Sequence, residues 1–329
     1  MHIRIPRANM LAAHAQLSRA GEYTTSPLRS KLSYSVMLLV RHKIPSVFTV
    51  QLAQAVTIAT RYSVVRSQGV ELGSDTGIES SIIAYKHQHF RLINLIAKTY
   101  AMFFASRECE TVYAQVKGQQ SRGDHSGLSA LHALSAGLKA YVTSEAVDGA
   151  EDARKLCGGH GYMVISGLPD IVGACAGGTT FEGENHVMWL QVGRYLMKQV
   201  DATVRDAQSS YFASPINPNT ACTATGADFL DPDMQLGIYR SRAHRMILKA
   251  HHALRSSAKS PAQAWNEHML LIISASRAYI EYTVLQSFVT YISTLSATPA
   301  LSNVLHNLRS MFALSSILSS LSNSYFDHP

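Results

Sequence analysis

The chain has 329 residues, 47% of them hydrophobic and only 16% charged, with a net charge of +7, a length for two domains and a balance that suits a soluble protein with much buried surface. The basic residues are scattered beside no recognisable nucleic-acid module, the four cysteines form no CxxC pair, and the start MHIRIPRANM holds no apolar signal segment. A nucleic-acid binder and a disulfide-stapled secreted domain are therefore set aside, and a reducing compartment is expected.

Residues 1–25 read as an arm or strand feeding a helical domain. Apolar positions at helical spacing (Leu39, Val47, Val50, Ala53, Val56, Ile58) predict a helix over Lys31 to Gln68, which Pro45 kinks or restarts. Ser67 to Gly77 is loop by composition, and a second helix runs from Glu79 to Val116 with Ile83, Phe90, Ile93, Ile96 and Tyr100 on one face. A third spans Leu128 to Leu156 and ends at a glycine cluster. Gly158 to Phe181 is expected to be mostly irregular, and Glu184 to Arg205 forms a fourth helix. After a polar linker, Ser209 to Asp233, three helical patterns follow: Met234 to Ser257, Pro261 to Leu295 and Pro299 to Leu321. Met269 to Ile292, the longest apolar tract, is broken by Arg277 and Glu281 and reads as a buried helix, not a membrane span. The expected fold is all-α, a four-helix bundle and a second, shorter helical domain, with an arm at 1–25, the bundle at 26–205, a linker at 206–224 and the second domain at 225–329.

Several residues admit two readings. Glu182 and Glu184 suit a helix start, where the dipole favours carboxylates; Glu182, flanked by Gly183, also suits a base held in an apolar pocket, where poor solvation raises its basicity. The run CGGHGY, Cys157 to Tyr162, is a glycine helix stop or a backbone cradle for phosphates. Arg41 and Arg66 are 25 residues apart; on one continuous helix they would share a face about 37 Å apart, as a phosphate-binding pair or as two solvated arginines. His87 and His89, and the adjacent His251 and His252, diverge around their helices, and no HExxH, Cys/His spacing or GxSxG occurs, so neither a metal nor a serine nucleophile is expected. Tyr62, Tyr141 and the Met188–Trp189 pair read as packing.

Five strings occur in order: IPRANML at Ile5 to Leu11, TIATRYSVVRSQG at Thr57 to Gly69, LHALSAGLKAY at Leu131 to Tyr141, CGGHGY, and TTFEGENHVMWLQVGRYLMK at Thr179 to Lys198. Together they resemble the acyl-CoA oxidases, strongly over 1–205 and faintly over 206–329. The related dehydrogenases usually lack a second helical domain. The resemblance implies an FAD enzyme that desaturates fatty acyl-CoA to trans-2-enoyl-CoA and passes electrons to molecular oxygen, giving hydrogen peroxide. It implies Glu182 as base, with its N–H on the thioester carbonyl, and Arg41 and Gly183 on the substrate side. Arg66, Gln88, Gly158, Gly159, Gly161 and Glu184 would face the cofactor, the glycine run serving a neighbour's flavin in a homodimer. A peroxisomal location is implied, although the end YFDHP carries no Ser-Lys-Leu signal. The family's N-terminal helical and middle β-domains precede the IPRANML-like string. The alternative expectation is thus a truncated, catalytically incompetent fragment that only dimerises or packs with a partner. Ala8 stands where the family usually has Glu, and His186 where Thr is usual.

Overall fold

The computed structural model describes residues 3–10, 12, 15–25, 37–70, 77–205 and 224–324; most of the expected linker, the expected helix start before residue 37 and the segment YFDHP lie outside them. The architecture is all-α. Besides a helical stretch at 37–41, the described residues form these helices in chain order: α1 (Ile44–Val65), α2 (Lys86–Gln120), α3 (Leu128–Leu156), α4 (Gly158–Tyr162), α5 (Leu168–Gly178), α6 (Asn185–Arg205), α7 (Pro232–Ser256), α8 (Pro261–Glu267), α9 (Met269–Thr294) and α10 (Pro299–Ser324). The arm forms a short antiparallel pair, β1 (Ala15–Leu17) with β2 (Tyr23–Thr25). No helix among the described residues is long and apolar enough to cross a membrane.

Helix starts follow local chemistry. Asp231 caps α7 by accepting from the Met234 N–H at 2.8 Å, and Pro232 follows it. Ser260 and Gln263 form a capping box ahead of α8, with Pro261 in its first turn; proline fits there because first-turn N–H groups have no intrahelical acceptor.

One expectation is met and three are corrected. The helix over Lys31 to Gln68 restarts at Pro45 as expected: residues 37–41 are helical, His42 and Lys43 turn, and α1 starts at Ile44 with Pro45 in its first turn. The proline ring would clash with the carbonyl four residues back, that of Arg41. Arg41 and Arg66 therefore do not share one helical phase. The second helix begins at Lys86, because residues 80–82 bond back to residues 66–69 and the Ser81 hydroxyl caps the Ser63 and Val64 carbonyls at the end of α1. Gly158 to Phe181 is largely helical, as α4 and α5, since Leu168, Cys175 and Gly178 are buried. Finally, Pro261 to Leu295 is two helices, interrupted at His268.

Helix α3 is central. It packs against α1, α2, α5, α6 and α9, and small buried residues (Ala133, Ala136, Gly137, Ala140, Gly149, Ala150) allow neighbours on nearly every side. A Cβ at Gly137 would overlap Ile280 of α9, and one at Gly149 would overlap Leu52 of α1. Helix α9 meets α6 just as closely, where a Cβ at Gly193 would overlap Ile272. The C-terminal helices thus share one continuous core with the bundle; Phe104 of α2 lies 5.1 Å from Phe288 and 5.5 Å from Tyr291, ring centre to ring centre. A charge chain crosses the same seam: Lys98 to Glu145 at 2.6 Å, Glu145 to Arg277 at 2.9 Å, Arg277 to Glu281 at 3.1 Å, and Glu281 to Arg242 at 2.5 Å.

Candidate active site

The turn between α5 and α6 carries Glu182. Helix α5 ends at Gly178, pressed against the Phe48 ring where no Cβ would fit, and Phe181 lies 5.9 Å from Phe48. The chain then reverses, with the Asn185 N–H donating to the Thr179 carbonyl at 3.1 Å. Within this reversal Glu182 has φ of 55°, the one non-glycine residue of positive φ among the described residues, and Gly183 has φ of 108°. A left-handed backbone costs an L-residue about 1–2 kcal/mol, so surrounding contacts must hold it. A side chain at Gly183 would also run into Met188.

Those contacts come from below the turn. Arg41, 1% exposed, donates from Nη2 to the Glu182 carbonyl at 3.2 Å. Lys139 of α3, 0% exposed, donates from Nζ to the Gly183 carbonyl at 2.5 Å and to Asn185 Oδ1 at 2.8 Å. The buried Asn185 amide is fixed in turn: its Nδ2 donates to the Ala140 carbonyl at 3.2 Å, Thr143 Oγ1 at 3.0 Å and Ser144 Oγ at 2.9 Å. Burial pushes the Lys139 ammonium down to about 8, against the upward pull of the Glu184 charge. Sequence reading passed over Lys139. Its signal was a lysine with no carboxylate where a helical ion pair would sit, those positions being Ser135, Ala136, Val142 and Thr143.

Glu182 itself is exposed. The expected apolar pocket is not formed around it by the described residues, and its carboxylate has no hydrogen bond or ion pair among them. Glu184 is engaged: its carboxylate accepts from the N–H groups of His186 at 2.9 Å and Val187 at 3.3 Å, capping α6, and meets His186 Nδ1 at 2.8 Å. Although burial pushes it upward, those bonds from His186 and Val187 keep Glu184 below the usual carboxylate range.

A second cluster gathers at the other end of α1. Tyr62 Oη meets His160 Nδ1 at 2.9 Å, so Tyr62 orients the glycine run rather than only packing. The Gln88 side chain donates to Ser63 Oγ at 2.9 Å and to the Leu156 carbonyl at 2.8 Å, tying α2, α1 and the end of α3 together. Arg66 is exposed and reaches Gln68 Oε1 at 2.7 Å. Gly158 and Gly159 present open backbone, with nothing within 4 Å of a built Cβ, and Gly158 has φ of +57°. Gly161 differs: a Cβ there would overlap the Arg154 carbonyl, so its glycine is required by packing. The structure therefore brings Arg41, Glu182, Gly183 and Glu184 together, and separately Arg66, Gln88, Gly158, Gly159 and Gly161. The 22 residues of α1 lie between the two groups, about 33 Å of helix. Among the described residues no three His, Cys, Asp or Glu side chains converge on a possible metal position.

Residues 34–197 match the family described as acyl-CoA oxidase, C-alpha1 domain, and residues 231–328 match the acyl-CoA oxidase family. A putative peroxisomal acyl-coenzyme A oxidase 1.2 of Arabidopsis thaliana is 35% identical over 320 residues, covering 95% of this chain and 48% of the relative. The peroxisomal acyl-coenzyme A oxidase 1 of Mus musculus is 35% identical over 323 residues, covering 94% of this chain and 48% of the relative. Among solved structures, Arabidopsis thaliana acyl-CoA oxidase 1 superposes with a TM-score of 0.91 at 33% identity, over 98% of this chain and 49% of that one. Acyl-CoA oxidase-2 of Caenorhabditis elegans, bound with FAD, ascaroside-CoA and ATP, gives 0.86 at 30% identity, over 99% of this chain and 49% of that one. The chain spans about half the length of the curated relatives it matches. With both stretches matched and the helical architecture of the described residues shared, the chain belongs to the acyl-CoA oxidase family.

Proposed function

We propose that this chain supplies the base and half of the cofactor cradle of an FAD-dependent acyl-CoA oxidase, which forms trans-2-enoyl-CoA and hydrogen peroxide. The observation that carries the reading is Glu182, an exposed carboxylate with no partner among the described residues, on a left-handed backbone held by two buried cations. A carboxylate without hydrogen bonds is a free proton acceptor, and its fixed backbone aims it. The Glu182 N–H also has no acceptor among the described residues and is available to a thioester carbonyl, whose polarisation acidifies the α-carbon. Glu182 takes the α-proton.

The other cluster fits a dinucleotide. Open backbone at Gly158 and Gly159 admits phosphate oxygens closely, and the exposed Arg66 guanidinium offers a planar pair of donors. FAD, when bound, supplies the hydride acceptor for the β-carbon and passes the electrons to oxygen. Because about 33 Å of helix separates the clusters, the reading assigns the glycine end to the flavin of a second copy, in a homodimer. The relatives named peroxisomal support the same compartment here.

The test uses this chain alone and joined behind the N-terminal half of the Arabidopsis relative. Flavin absorbance after gel filtration reports cofactor retention, and peroxide release with palmitoyl-CoA reports turnover. The joined chain is expected to bind flavin and release peroxide, and Glu182→Gln to lower turnover at least about 10²–10⁴-fold with flavin retained. Undiminished turnover in Glu182→Gln removes Glu182 as base. A joined chain that dimerises yet neither binds flavin nor releases peroxide favours a purely assembling role.

A further inference from the structure

Lys139 is an unusual occupant of the centre of the fold. Its α3 neighbours Leu138, Ala140, Val142 and Ala136 are buried and apolar, and it is itself 0% exposed. Among the described residues it forms no ion pair; its partners are one backbone carbonyl and one amide oxygen. Burying an ammonium on neutral acceptors is costly, and a methionine of similar length would fill the same space without that cost. A second buried cation comes from a different segment: Arg41, 1% exposed, also donates to a backbone carbonyl of the turn. The two carbonyls are consecutive, those of Glu182 and Gly183.

We propose that Lys139, assisted by Arg41, is a positioning residue of this site: the paired buried cations grip the Glu182 and Gly183 carbonyls and so set the left-handed turn that presents Glu182. The peptides are trans, so each C=O opposes the N–H of its own peptide plane. With both carbonyls drawn inward, the N–H groups of Gly183 and Glu184 face away from the cations, and neither has an acceptor among the described residues. A cation on the carbonyl polarises the peptide and strengthens its N–H as a donor. Asn185 completes the grip, since Lys139 holds its Oδ1 while its Nδ2 is bound to α3. The functional half of this inference rests on the oxidase reading; the grip itself does not.

The decisive measurement is amide hydrogen exchange by mass spectrometry on the 329-residue chain, comparing wild type with Lys139→Met and Lys139→Gln. Lys139→Met is expected to speed exchange across residues 179–187 at least tenfold, while residues 145–153 of α3 and 190–200 of α6 stay within twofold. Lys139→Gln, which keeps a shorter donor, falls between. An unchanged turn, an acceleration spread evenly over all helices, or loss of structure in both variants would assign Lys139 to the core alone and overturn the proposal. In the joined chain, Lys139→Met is expected to lower kcat at least tenfold with KM for palmitoyl-CoA within twofold; an unchanged kcat overturns the link to the reaction. Exchange needs neither flavin nor substrate, so an oxidase reading that fails leaves the exchange result to decide the grip.

Discussion

Glu182→Gly should make the protein more stable while removing the proposed base. The left-handed backbone at Glu182, φ 55°, costs a residue with a Cβ about 1–2 kcal/mol, and glycine pays none of it. Against this, glycine loses about 0.5–1 kcal/mol more unfolded-chain entropy. The Glu182 side chain is exposed and has no hydrogen bond or ion pair among the described residues, so its removal forfeits little. The net is a gain of about 0.5–1 kcal/mol, or about 1–2 °C in Tm for a chain of this size. Urea unfolding followed by circular dichroism measures it, with Glu182→Ala as a control that keeps the strain and should leave the midpoint unchanged. Glu182→Asn, whose short amide tolerates left-handed geometry, should fall between. A loss of more than 1 kcal/mol in Glu182→Gly would refute the reasoning, because the side chain would then be contributing contacts that outweigh the strain. The expected opposition of stability and activity is what a strained functional residue produces.

Two further outcomes are expected. In the glycine run, Gly161→Ala should destabilise by about 1–3 kcal/mol through overlap with the Arg154 carbonyl, whereas Gly159→Ala, which meets nothing within 4 Å, should stay within about 0.5 kcal/mol; equal urea midpoints for the two variants would contradict the assignment. The Lys139 ammonium, held down to about 8 by burial, is depressed below the ordinary lysine range, so the unfolded chain binds more protons than the folded one from pH 8 up to about 10.4. Stability from this group therefore rises with pH across that window. The urea stability of wild type minus that of Lys139→Met should increase from pH 8 to pH 10, and a flat or falling difference would show that Lys139 titrates normally.

Much of the helical frame could be read from the chain. Leu128–Leu156 appears where its periodicity and glycine stop place it, and Asp231-Pro232 and Ser260-Pro261 mark helix starts by cap chemistry. Gly158 to Phe181 failed because propensity is a weak prior: its glycines and Pro169 spoke for loop, but burial of Leu168 and Cys175 against the bundle pays for two helices. The break at His268 has no local breaker in the sequence. The shared face of Arg41 and Arg66 required one continuous helix, and Pro45 restarts the count between them. Glu182 was found through its neighbours in sequence. Lys139 and Tyr62 were not, since their roles depend on Gly183 and His160, 44 and 98 positions away, and single-chain periodicity carries no long-range pairing.

The seam between the bundle and the C-terminal helices has a consequence for how the molecule comes apart. Gly137 and Gly193 let α9 lie against α3 and α6 with no space for a side chain between them, and the charge chain from Lys98 to Arg242 bridges the same seam. Peeling α9 away would expose Phe104, Phe288 and Ile280 to water and leave Glu145, 8% exposed, with Lys98 but without Arg277. Partial opening there would break a shared core, so the bundle and the C-terminal helices are expected to unfold together. Glu145 and Lys139 sit on the same helix, six residues apart. The C-terminal helices and the Glu182 turn thus lean on the same helix, α3, from different sides.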